Sequence, residues 1–183
     1  MKRSAPTPHE VRFGRDALPV RRPGRRRPDA WFWAIAISAL AAIGIALVSQ
    51  HGFGMEPCPW CVLQRLIFIA IAVAALIGLV WRRAIGRAVA AALVLLLAIA
   101  GIASAAWQHF YAAPSGSCNL TLADKIINGL GLDALIPDLF APRATCADAA
   151  VSLLGVSYDL WSLALFALLG LAALVVLLRR RVR

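Results

Sequence analysis

Four stretches of this chain are apolar on every face, and most of its charge lies between or outside them. They cover residues 31–49, 62–81, 88–107 and 161–178. At ~1.5 Å per residue each predicts a helix about 27–30 Å long, matched to the ~30 Å hydrocarbon core of a bilayer. A helix of a soluble domain would carry a polar back opposite its apolar stripe, and none of the four does. The expected fold class is all-α: a polytopic membrane protein, a four-transmembrane-helix bundle. Residues 1–30 and 179–183 read as basic tails, and 50–61 and 108–160 as two loops on the same side of the membrane.

Composition agrees. The 183 residues are 61% hydrophobic, more apolar surface than one soluble domain of this size can bury. Trp31, Trp33, Trp60, Trp81, Trp107 and Trp161 all fall near predicted helix ends, as an interfacial aromatic belt requires. Gly44, Gly78, Gly101 and Gly170 are expected where helices approach closely. The net charge of +10 would suggest nucleic acid in a soluble protein. Here it is distributed as topology, and no nucleic-acid partner is expected. Nine Lys and Arg precede the first span, Arg82, Arg83 and Arg87 separate the second and third, and Arg179, Arg180, Arg181 and Arg183 follow the fourth. The other side keeps Arg65, Lys125 and Arg143. The positive-inside rule puts both termini in the cytoplasm. In a bacterium both loops then face the periplasm, from the inner membrane. The first span is too long for a signal-peptide core, and no clean Ala-x-Ala site follows it. Residues 1–30 hold five of the ten prolines and are expected to be a disordered basic tail against anionic lipid.

All four cysteines fall on the loop side, where an oxidising compartment lets disulfides persist. Cys58 and Cys61 form a Cys-x-x-Cys pair just before the second span, within Pro57-Cys58-Pro59-Trp60-Cys61. Pro59 suits the first helical position, so Cys58 is expected at the helix cap, where unpaired N–H groups favour a thiolate. Arg65 lies one turn beyond Cys61 and is the one Arg inside any apolar span. A guanidinium there needs an acceptor, and a thiolate or a quinone oxygen would serve, unless it snorkels to headgroup phosphates. Cys118 and Cys146 bracket residues 120–132, a moderately apolar stretch expected to form a short helix on the membrane, as is 149–156. Their spacing is wrong for a compact zinc site. It fits a loop-closing staple, worth ~3 kcal/mol, or a second exchanging pair. His109 follows the third span, either as a plain interfacial residue or as one that holds a ligand oxygen or passes a proton. His9 and His51 are expected to be tail and interfacial residues, Glu56 a solvated loop acid, and no metal site is expected.

This constellation resembles the disulfide bond formation protein B (DsbB) family, the bacterial quinone-linked thiol oxidases. The resemblance covers residues 31–178. It rests on Pro57-Cys58-Pro59-Trp60-Cys61-Val62-Leu63-Gln64-Arg65, Gln50-His51, His109, the Cys118 and Cys146 pair, and Leu154-Gly155 with Trp161. Val151 and Asp159 stand where members can carry Trp and Pro. The resemblance implies a relay. A reduced DsbA-type thioredoxin-fold partner attacks Cys118 of a Cys118–Cys146 disulfide. Cys146 then attacks Cys58, and Cys61 meets a membrane quinone, ubiquinone or menaquinone, held by Arg65 and His109. A Cys58–Cys146 interloop form is one of the resting states such a relay can take. A monomer is the simplest assembly. Rival readings are a vitamin K epoxide reductase-like enzyme, whose Cys-x-x-Cys lies near its last core helix, and a metal-binding or disulfide-stapled membrane scaffold.

Overall fold

The computed structural model describes residues 28–115, 121–149 and 151–181. Four long helices dominate it: α1 (Pro28–Phe53), α2 (Pro59–Val80), α3 (Ala84–Trp107) and, last in the chain, α8 (Tyr158–Arg181). All four are long and apolar enough to cross a membrane, and the protein is a multi-pass membrane protein. Each begins or ends a few residues beyond its apolar run. Pro28 and Pro59 start α1 and α2, since a missing N–H costs nothing in a first turn. Gly54, at φ 65°, follows the end of α1. Between α3 and α8 lie a π-helical turn (Gln108–Ala112), α4 (Ala113–Ser115), α5 (Leu122–Gly129), α6 (Leu132–Leu135), α7 (Pro137–Phe140) and a hairpin of β1 (Ser152–Leu153) and β2 (Val156–Ser157).

The outside of the bundle is as apolar as its interior. Ile37, Leu40, Ile45 and Val48 of α1 lie outward, while Ala36, Ala39, Ala72, Ala75, Ala91, Ala98 and Ala105 are buried. Small residues let the backbones approach, which replaces the hydrophobic drive that lipid does not supply. A Cβ on Gly78 would come within 2.6 Å of the Phe32 ring, and one on Gly101 would strike Phe166. Phe166 is stacked on Phe68 at 4.1 Å between centroids, so it has nowhere to retreat. Gly170 lies close against Ala98, but Gly44 faces open space and lets no helix approach. Trp60 is buried, so it belongs to the packing near the site and not to the interfacial belt. Packing is heaviest between α1 and α2, α2 and α3, and α3 and α8, and lighter where α8 returns to α1. At the end away from the cysteines, Arg87 pairs with Asp29 and the Arg179 guanidinium sits 5.4 Å over the Trp31 ring.

The second loop is folded. Thr121 and Asp124 cap α5 reciprocally, and α5 and α7 pack on the start of α2 through Val62, Ile127 and Phe140. The short helix expected near 120–132 is therefore present, shortened to α5. The one expected at 149–156 is not. Leu154 and Gly155 have φ of 56° and 80°, the two left-handed residues of a tight hairpin turn. That conformation ends any helix, and it pairs Leu153 with Val156.

Candidate functional site

The site forms where α2 begins. Cys58 caps the helix, and its sulfur accepts the Cys61 N–H at 3.3 Å. One turn separates the two cysteines, which brings Sγ to Sγ at 2.8 Å. Cys146 is also hydrogen-bonded to Cys58. Main chain holds it there: the N–H groups of Arg143 and Ala144 both donate to the Pro57 carbonyl, at 2.9 and 3.3 Å. The three sulfurs thus form a row, Cys146 to Cys58 to Cys61, with Cys58 in the middle. Cys118 lies outside the described residues.

This row changes the expectation for Cys58. A helix cap by itself lowers a thiol pKa. Here the hydrogen bonds with Cys146 and then Cys61, followed by burial, push Cys58 far above its ordinary 9.0. Cys58 is the protonated, buried centre of the row.

Arg65 is buried, and its anchors are not the ones expected. Nη1 donates to Gln50 Oε1 at 2.8 Å and to the Leu139 carbonyl at 3.2 Å. Gln50 Nε2 reaches the Asp138 carbonyl at 3.3 Å. The Gln50 amide and the Leu139 carbonyl therefore hold the guanidinium, the Asp138 carbonyl steadies the amide, and the same contacts tie α7 to the bundle. A second amide chain serves Cys61. Gln64 Nε2 donates to Gln108 Oε1 at 2.8 Å, and Gln108 Nε2 donates to Cys61 Sγ at 3.2 Å. Gln108 opens the π-helical turn, a device that recurs at functional sites because it re-aims side chains at a helix end. The next residue, His109, points elsewhere: Nδ1 lies 2.8 Å from Asp159 Oδ2 and 3.5 Å from Ser157 Oγ.

A cavity of about 400 Å³ opens between α1 and α8, at the lighter seam of the bundle. Ala42, Ile43, Ala46, Phe68, Leu165 and Leu168 make its apolar depth. Its polar end gathers Cys61, Gln64, Arg65, Gln108, Tyr158 and Asp159. Of the three described cysteines, only Cys61 lines it. His109 does not, and reaches it only through Asp159.

Gln64, Gln108 and Tyr158 are site residues that composition and spacing did not single out. The signal existed: the three glutamines of the chain are Gln50, Gln64 and Gln108, and all three are buried in helices at this end. Buried amides need partners, so their recurrence marks a polar site.

Relatives agree with the geometry. Residues 27–176 match the family described as disulfide bond formation protein DsbB. Disulfide bond formation protein B 1 of Pseudomonas savastanoi pv. phaseolicola is 37% identical over 158 residues, covering 85% of this chain and 93% of that protein. Disulfide bond formation protein B of Ralstonia nicotianae is 33% identical over 155 residues, covering 84% and 96%. With the family matched over most of the chain and Cys58, Cys61 and Cys146 gathered at one helix start, the protein belongs to the disulfide bond formation protein B family.

Proposed function

We propose that this protein is a membrane thiol:quinone oxidoreductase. It reoxidises a periplasmic DsbA-type thioredoxin-fold dithiol oxidase and passes the electrons to membrane quinone, which supports disulfide formation in other proteins. The observation that carries this reading is the separation of duties along the sulfur row. Cys146 arrives from the second loop, Cys58 joins it to Cys61, and Cys61 is the one described cysteine that meets an apolar cavity.

The residues fit a quinone. The cavity lies within the ~300–1,000 Å³ range of small-molecule sites, is apolar in depth and gathers its donors at one end. A guanidinium carries five N–H donors. Two bonds from Nη1 hold Arg65 in place, and its other N–H groups can meet a ligand oxygen. A quinone bound there supplies a two-electron, two-proton acceptor and leaves as quinol; ubiquinone is the first to try and menaquinone the second. The protein's own steps follow by thiol–disulfide exchange. The partner's thiolate attacks Cys118 of the Cys118–Cys146 disulfide and forms a mixed disulfide, releasing Cys146. The partner's second thiol resolves that bond and leaves oxidised. Cys146 attacks Cys58 of the Cys58–Cys61 disulfide, and Cys61 leaves as a thiolate that accepts the Gln108 N–H. When Cys118 displaces Cys58 from Cys146, the dithiol Cys58 and Cys61 remains to be reoxidised at the cavity. The Lys and Arg distribution supports cytoplasmic termini and periplasmic cysteine loops.

The test is quinone reduction by purified protein with a reduced DsbA-type partner and a short-chain ubiquinone, followed by quinone absorbance. Wild type turns over, and Cys61→Ser stops. Full turnover by that variant sinks the reading. In spheroplasts, a membrane-impermeant maleimide should reach a cysteine introduced in place of Glu56 and miss one in place of Arg82.

A further inference from the structure

Reducing a quinone takes protons as well as electrons, and the cavity needs a route for them. Asp159 stands at its polar end with its side chain 8% exposed, in the first turn of α8. Its Oδ2 is 2.8 Å from His109 Nδ1, and the His109 side chain is 33% exposed. The two residues therefore form a path two side chains long from the outer surface to the cavity. We propose that Asp159 is a proton-donating residue of the quinone site, recharged from water through His109. This inference rests on the quinone reading of the cavity.

The balance is simple. Two thiols and a quinone become one disulfide and a quinol. Cys58 and Cys61 lose two electrons and two protons as their S–S bond forms, and the quinone oxygens gain both. The electrons travel through sulfur. Cys61 lines the cavity and can give its proton to one quinone oxygen; Cys58 does not line it, so its proton leaves to the solvent side and the other oxygen takes one from a separate donor. The Asp159 carboxylate takes a proton from the His109 imidazolium as it passes one on to the other quinone oxygen, and water reprotonates the imidazole. The other ionisable groups on the cavity wall are Glu56, Cys61, Arg65 and Tyr158. Arg65 cannot release a proton under ordinary conditions. Tyr158 is hydrogen-bonded to Ser49 and is the competing donor. Ser157 Oγ lies at 3.5 Å from the same His109 nitrogen and helps to orient the ring.

Two measurements test the proposal. In the first, reduced protein is mixed with short-chain ubiquinone and single-turnover quinol formation is followed. General acids contribute ~10²–10⁴-fold, so Asp159→Asn should slow this step ~10-fold or more. Added formate should restore the rate, which a purely structural role would not allow. His109→Gln should slow it similarly and the double variant little further. The second measurement needs no turnover. A hydrophobic carbodiimide should modify Asp159, as read by mass spectrometry, and ubiquinone should protect it. Asp159→Asn reducing quinone as fast as wild type, a loss that formate does not restore, or the absence of a quinone-protected label would each overturn the relay. Failure of wild type to reduce quinone at all would instead overturn the function on which it rests.

Discussion

Gln50→Leu is the sharpest test of how the site is held. The substitution keeps volume and apolarity but removes both amide bonds. One is charge-assisted, from Arg65 Nη1 at 2.8 Å, and one is neutral, to the Asp138 carbonyl at 3.3 Å. On the scale for water-soluble proteins the first contributes ~1.5–3 kcal/mol and the second ~0.5–1.5 kcal/mol. Hydrogen bonds inside membrane proteins average only ~0.6 kcal/mol, with a maximum of ~1.7. Gln50 lies at the loop end of α1, between these regimes, and the Arg65 charge stays buried after the change. A loss of about 2 kcal/mol is expected, of which the Arg65 pair supplies at least half. Reversible unfolding in mixed detergent micelles measures it, and a double-mutant cycle with Arg65→Met isolates the pair. A Gln50→Leu protein within ~0.5 kcal/mol of wild type, or a cycle with no coupling, would refute the reasoning. Exchange between Cys146 and Cys58 should slow in the same variant, because α7 leads into the segment that carries Cys146.

Arg65→Ala should raise the apparent quinone KM about tenfold, the loss of one charge-assisted bond, and share part of the Gln50→Leu instability because Leu139 loses its donor; an unchanged KM would count against Arg65 as a ligand. Gln108→Leu removes the N–H that Cys61 accepts and should slow single-turnover quinone reduction ~10-fold at unchanged quinone affinity, whereas equal rates would make that contact incidental. In the reduced protein, Cys58 keeps its proton in the folded state at pH values where the unfolded chain releases it. Its stabilisation is fully present below the unfolded value of 9.0 and is lost as pH rises above it. Unfolding of reduced protein across pH 7.5–10.5 should show this decline, and Cys58→Ala should flatten it. At pH 8, alkylation of the reduced folded protein should reach Cys61 well before Cys58.

The membrane bundle was legible because it follows from a one-dimensional signal. A run of about twenty apolar residues cannot be much else, and the four runs correspond to α1, α2, α3 and α8. Helix ends were less legible: Pro28 and Pro59 start helices outside the apolar windows because proline suits a first turn, and α8 begins at Tyr158, ahead of its window. The hairpin at Leu154-Gly155 was missed because Leu rarely adopts positive φ, so the dipeptide did not read as a turn. Within the site, the Cys-x-x-Cys pair and the single intramembrane Arg stood out by type. The depth of Cys58 did not, because it depends on Cys146 arriving from far along the chain. Likewise the His109 and Asp159 pair joins residues 50 apart in sequence, and only the return of α8 beside α3 brings them together.

The two hydrogen bonds to Pro57 bear on how this protein can diversify. They come from the backbone amides of Arg143 and Ala144, and a backbone amide survives every substitution except proline. The register of Cys146 against Cys58 is therefore independent of which side chains the segment displays outward. Arg143 and Asp138 pair only at the surface and could be exchanged without disturbing the sulfur row. Under the proposed function, the outward face of the second loop can drift to suit a new thiol partner while Cys146 keeps its place beside Cys58. For protein engineering it is a natural graft site, provided that positions 143 and 144 never become proline.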